Sequence, residues 1–88
     1  MDQYEWDDAK NTANRLKHGV EFEIVWDVDW TGALVEVDGR FDYGEERSRA
    51  FVRTFGQALC IAFTMRGDVI RIISIRRMHD KEAEQYGI

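Results

Sequence analysis

Residues 59–77 read LCIAFTMRGDVIRIISIRR, two apolar runs of strand length separated by Gly67-Asp68. A glycine-aspartate pair between runs rich in Ile, Val and Phe predicts a hairpin with a two-residue loop. Residues 48–55, SRAFVRTF, predict the preceding strand, turned by Gly56-Gln57. Residues 33–37, ALVEV, alternate and predict another, with Val35 and Val37 on one face and Leu34 and Glu36 on the other, closed by Asp38-Gly39. With two-residue loops at 56–57 and 67–68, Thr54 lies opposite Leu59 and Arg66 opposite Val69. Because successive side chains alternate, this register assigns faces. Ala50, Val52, Leu59, Ile61, Phe63, Met65, Ile70 and Ile72 share the core face. The other receives Arg49, Phe51, Arg53, Phe55, Cys60, Thr64, Arg66, Arg71 and Arg77, with Ile73 and Ile75, while Arg76 falls at the end of the core side, where it either reaches past the sheet edge or is turned by a bulge near Ile75.

Upstream, Tyr4-Glu5-Trp6 read as a short extended lead, and Asp7 or Asp8 caps a helix running to about His18. Ala9, Ala13 and Leu16 give that helix a narrow apolar stripe. Lys17 and His18 suit the negative end of its dipole, and Gly19 supplies a left-handed stop. A second helix is expected from about Glu21, carrying Phe22, Ile24, Val25, Trp26 and Val28. Trp6, Trp26 and Trp30 read as core or partner-facing rings. Residues 78–86 predict a short polar terminal helix that folds against either edge. The expected architecture is α+β: one domain over residues 1–88, with two N-terminal helices on one side of an antiparallel sheet of about four strands and a short C-terminal helix. The sheet's other side is expected to be open.

Eighty-eight residues make room for one core, and a hydrophobic share of 44% with 11 aromatic side chains argues for a folded chain. No window approaches the roughly 20 apolar residues of a membrane span, and no basic-then-apolar leader opens the chain, so a cytoplasmic protein is expected. The lone Cys60 agrees with a reducing compartment. One cysteine and two distant histidines form no zinc pattern, and neither metal nor cofactor is expected. Net charge is −5, unevenly spread. Residues 1–45 hold four basic and twelve acidic side chains, net −8; residues 46–88 hold eight basic, seven of them Arg, and five acidic, net +3. That asymmetry suggests a polyanion site on one side and a basic partner on the other.

Arginines sharing a sheet face with phenylalanines suit single-stranded RNA, since guanidinium groups neutralise phosphates while rings stack on unpaired bases. A single Arg on such a face is ordinarily just solvated. Several in register repel one another, a cost that something should offset. Cleavage of RNA needs no metal in principle: a base takes the proton of a 2′-hydroxyl, the oxygen attacks its own phosphate, and cations hold the charge building on phosphorus. Arg66, Arg71, Arg76 and Arg77 are candidates for the last role. His18 and Glu45 or Glu46 are candidates for acid and base, although His18 also fits a plain helix C-terminus and the glutamates a solvated loop. His79 reads as a surface residue.

The succession YEWDDAKNTANRLKHGVEFE, GEER before a strand, FTMRGDVIRIISIRR and a final K-E-x-x-x-Y closely resembles the BrnT family, toxins of bacterial type II toxin–antitoxin systems. The likeness covers nearly the whole chain. Its motif positions fall on Trp6, Asp7, Lys10, Asn14 and Lys17 to Gly19, on Gly44 to Arg47, and on the hairpin polar residues through Arg76, Arg77, Glu82 and Tyr86. The resemblance implies a RelE-like fold and an endoribonuclease that cuts mRNA and arrests translation. It implies neutralisation by a BrnA-type antitoxin with a ribbon-helix-helix domain, in a heterotetramer that touches operator DNA only through the antitoxin. Taken together, the face assignment and the resemblance make Arg66, Arg76, Arg77, Glu46 and His18 the expected cleavage residues, and Arg49, Phe51, Arg53, Thr64, Arg71 and Lys81 the expected RNA contacts. The chain departs from the family in its terminal helix, where Asp80, Glu82 and Glu84 surround Lys81. The alternative function is a noncatalytic antitoxin-binding protein acting only within an operator-bound complex.

Overall fold

A computed structural model describes residues 3–40 and 42–88. Asp7 accepts a hydrogen bond from the Lys10 N–H and opens α1 (Asp8–His18); Gly19, at φ 72°, closes it with its N–H on the Arg15 carbonyl. Both ends lie where the capping residues place them. The face of α1 is a different matter. Ala9, Ala13 and Leu16 point to solvent, Leu16 at 79% exposure, whereas Asn11, Asn14 and His18 turn inward. The helix docks through amides rather than through its apolar stripe. Asn11 accepts from the Phe22 N–H at 2.8 Å, and Asn14 is bonded deep in the fold.

The expected second helix is instead two 3-10 segments, Phe22–Asp27 and Trp30–Gly32. The aromatic and β-branched run Phe-Glu-Ile-Val-Trp is a poor α-former, and Glu21 provides no side-chain cap. Phe22 and Val25, three apart, are both fully buried, a spacing that a three-residue turn satisfies.

Five strands, not four, make the sheet, in the order β1 (Gln3–Glu5), β5 (Val69–Arg77), β4 (Gln57–Arg66), β3 (Ser48–Thr54), β2 (Leu34–Val37). The extended lead is β1, which pairs parallel to β5 with Tyr4 beside Ile70, so the sheet is mixed. The β3–β4 loop is Phe55-Gly56, one residue earlier than expected: Thr54 pairs with Gln57, and Val52 with Leu59. The slip moves each partner by two, which preserves the faces. Both loop residues have positive φ, 50° and 76°, as a type I′ turn requires. For Phe55, whose Cβ crowds the following carbonyl in that conformation, it costs about 1 kcal/mol or more.

The β4–β5 hairpin pairs Arg66 with Val69 as expected, but a β-bulge follows: Phe63 lies opposite Ile72, and Ala62 opposite Ser74. Ile73 is the extra residue, and beyond it every β5 side chain changes face. Ile75 therefore enters the core opposite Ile61, Arg76 faces away beside Cys60, and Arg77 ends on the core side beside Leu59. The expected positions of Ile75, Arg76 and Arg77 are thus reversed.

One cluster fills the space between the sheet and the N-terminal elements, with Phe22, Val25, Leu59, Ile61, Ile72 and Ile75 at its centre. Tyr4, Trp6 and Trp30 border it; the Trp30 indole N–H donates to the Tyr4 hydroxyl at 2.7 Å. The opposite face is not open along its length. α2 (Asp80–Gln85) folds back across it, and Phe51, Ala58, Cys60, Met78 and Ala83 form a second cluster with Tyr86 and Ile88. Among the described residues no helix is long and apolar enough to cross a membrane.

Candidate functional site

Three rows of side chains cross the second face of the sheet. The first runs Glu5–Arg71–Thr64, the second Glu36–Arg49–Ala62–Ser74, the third Leu34–Phe51–Cys60–Arg76. α2 covers the third row: the Tyr86 ring stacks on Phe51 at 3.8 Å and 12°. Phe51 is fully buried, so while α2 is docked no base reaches this ring, contrary to the stacking role expected for it. α2 does not cover the first two rows; Thr64 is buried against the 42–47 loop, and the small, half-buried residues Ala62 and Ser74 form a floor beside it.

Arginines ring that floor. Arg71 stands 3.5 Å and Arg66 3.9 Å from the Glu5 carboxylate. Arg49 is bonded to Glu36, with its guanidinium 5.3 Å above the Phe51 ring. Arg76 grips Glu82 of α2 with two parallel bonds of 2.8 Å, a fork–fork contact that fastens α2 to β5. That bond draws the Glu82 carboxyl below its ordinary value and lifts the guanidinium's. Arg40 makes a similar fork to the buried Asp38 at 2.8 and 2.9 Å, holding that carboxyl far below the carboxylate range. The charges of Arg76, Arg49 and Arg40 all reach the Cys60 thiol, whose pKa burial nonetheless pushes up. Arg76, beside Cys60, and Arg49, beside Ala62, therefore stand in adjacent rows at the α2 edge of the floor.

Thr64 donates to the Glu46 carbonyl at 2.7 Å, which pins the 42–47 loop, and Glu46 with it, to this side. His18 lies half-buried at the end of α1. Partial burial, then Lys17 and Arg76, lower its pKa from 6.5, so it is neutral near neutral pH. The structure thus brings Arg49, Thr64, Arg66, Arg71 and Arg76 to one face, with His18 within reach of the Arg76 charge. It leaves the others apart. Arg53 lies beyond the covered row and donates to the Gly56 carbonyl, Lys81 is exposed on α2, and Phe51 is buried. Arg77 is on the opposite side, its Nε donating to Gln57 at 3.0 Å and its guanidinium about 3.5 Å from where a Gly19 Cβ would stand.

Sequence reasoning missed the counter-charges Glu5, Glu36, Asp38 and Glu82, and with them Arg40. Asp38-Gly39-Arg40 carried only a turn signal, and the other three are separated in sequence from the arginines they meet.

The fold is that of a small α+β toxin. The ribonuclease toxin BrnT of Brucella abortus, known from a 1.1 Å crystal structure, superposes with a TM-score of 0.70 at 21% identity, over 91% of this chain and 100% of that one. The family described as ribonuclease toxin, BrnT, of type II toxin–antitoxin systems matches residues 6–82, and the chain belongs to it. No curated protein matches the chain. Membership in a type II family carries an antitoxin as partner.

Proposed function

We propose that this chain is an endoribonuclease that cuts mRNA and so inhibits translation, and that its site is the uncovered half of the second sheet face. The observation that carries the reading is the convergence of Arg49, Arg71 and Arg76 around the Ala62–Ser74 floor, with a neutral His18 near Arg76. In this scheme the phosphate lies over the floor and displaces carboxylates from the guanidinium groups. His18 takes the 2′-hydroxyl proton, the 2′-oxygen attacks phosphorus, Arg76 and Arg71 hold the developing charge, and the departing 5′-oxygen takes a proton from water. Arg66 and Thr64 flank the strand, and Glu46 is the other titratable group tied to this side. Arg77, Arg53 and Lys81 have no part in it. The antitoxin is of BrnA type with a ribbon-helix-helix domain, and a heterotetramer binds operator DNA through it.

Purified chain is expected to cleave single-stranded RNA in excess EDTA; a requirement for added divalent cation would contradict the metal-free scheme. Its rate should also report His18. Because the imidazole pKa is lowered, the base form persists below pH 6.5, so the rate holds there and drops only as pH falls through the lower, folded value. His18→Ala should remove that acid limb along with most of the activity.

A second reading is favoured by the carboxylates. Glu5, Glu36, Asp38 and Glu82 already occupy the arginines, which weakens the attraction for phosphate. On that reading the face serves the antitoxin alone, and purified chain leaves RNA intact at every pH.

A further inference from the structure

On the other side of the sheet, a shallow depression of about 340 Å³ lies between the end of α1, the Phe22–Asp27 segment and the β3–β4 turn. Val20, Ile24 and Phe55 supply its apolar lining. Arg77 and the carboxylates Glu21, Glu23 and Asp27 also line it; Glu21 stands 3.8 Å from Arg15 and Glu23 accepts from Asn11 at 2.6 Å. Phe55 is the unusual member. It holds a left-handed backbone at φ 50°, a position that glycine or asparagine fills without strain, yet its ring is 74% exposed and belongs to neither buried cluster. Arg77 is the second unusual member: unlike Arg49, Arg71 and Arg76 of the opposite face, it meets an amide, Gln57, and no carboxylate among the described residues.

We infer that this depression is where a segment of the antitoxin docks. An apolar side chain of that segment seats on Phe55 and Ile24, a carboxylate meets Arg77, and a Lys or Arg meets Asp27. The inference rests on the family's antitoxin partner and supplies the surface it uses. Charge selects this occupant: three carboxylates repel a nucleic-acid backbone, while a segment bearing both signs satisfies Arg77 and Asp27 alike. It also places antitoxin docking on the other side of the sheet from the Ala62–Ser74 floor, with the end of α1, which carries His18, adjoining both.

Phe55→Asn tests the inference, because it relieves the left-handed strain while removing the ring. The variant should melt no lower than the native chain, cleave RNA as the native chain does, and bind the cognate antitoxin at least tenfold more weakly. Asp27→Lys, at an exposed carboxylate, should weaken binding similarly and reduce its salt dependence. Antitoxin affinity within threefold of native in both variants would overturn the docking surface alone. No antitoxin binding by the native chain would overturn the partner reading together with it. A dimer of the chain without antitoxin, lost in Phe55→Asn, would assign the depression to a second copy and overturn the proposal.

Discussion

Asn14→Ala is expected to lower the unfolding free energy by about 3 kcal/mol or more, from buried backbone groups left without partners. β1 covers the outer edge of β5 only over Val69 to Arg71, and further along the strand Asn14 serves in its place. Its Oδ1 accepts from the Ile75 N–H at 3.1 Å, and its Nδ2 donates to the Ile75 carbonyl at 2.8 Å and the Val20 carbonyl at 2.9 Å. Alanine leaves three buried backbone groups unsatisfied, each costing about 1–3 kcal/mol, against a total stability of about 5–15 kcal/mol for a domain of this kind. Asn14→Leu should fare no better, since apolar bulk cannot satisfy a strand edge. Urea denaturation measures the difference, and a loss below about 1 kcal/mol would show that the amide does not anchor α1. The same contact positions His18, one helical turn on, so the variant should lose activity before it loses its fold.

Arg76→Ala is expected to reduce RNA cleavage by about 100-fold or more, the usual effect of removing one donor that holds charge in a transition state. Alone the result is ambiguous, because Arg76 also fastens α2. Glu82→Gln separates the two roles: it weakens the same fork yet leaves the guanidinium in place and less encumbered. Cleavage by Glu82→Gln should equal or exceed that of the native chain, while α2 docks less firmly. If both variants lose activity alike, Arg76 acts through α2 and not on the phosphate. Acid should loosen the fork too. Glu82's pKa lies below its ordinary 4.5 in the fold, so its contribution is complete above pH 4.5 and is lost as pH falls through the lower, folded value.

Local chemistry made much of this fold readable. Asp7 and Gly19 mark α1 because caps act within a few residues, and Gly67-Asp68 fixes its hairpin for the same reason. The faces of β3, β4 and the first half of β5 follow by alternation. The bulge at Ile73 is not marked locally, since Ile72-Ile73 reads as an unbroken apolar strand with no glycine to flag it; only the odd placement of Arg76 pointed to a bulge, near Ile75. That single residue decides that Arg76 joins Arg49 and Arg71 while Arg77 does not. The docking face of α1 was misread because asparagine amides, not alanines, meet the sheet. The charge asymmetry was read as two outward-facing surfaces. In the fold, Glu5 and Glu36 of the acidic half neutralise Arg71 and Arg49 of the basic half, so part of that asymmetry is internal. Such pairs join residues far apart in the chain, which no local pattern records.

The central proposal is that this sheet face breaks RNA through the ribose 2′-hydroxyl, and the chemistry of the product ends tests it most directly. Native chain incubated with a single-stranded RNA in EDTA should release 5′ fragments ending in a 2′,3′-cyclic phosphate, and a 2′-deoxy sugar at the cut position should block the break. Fragments ending in a 3′-hydroxyl, or RNA left whole by chain that still binds its antitoxin, would contradict it.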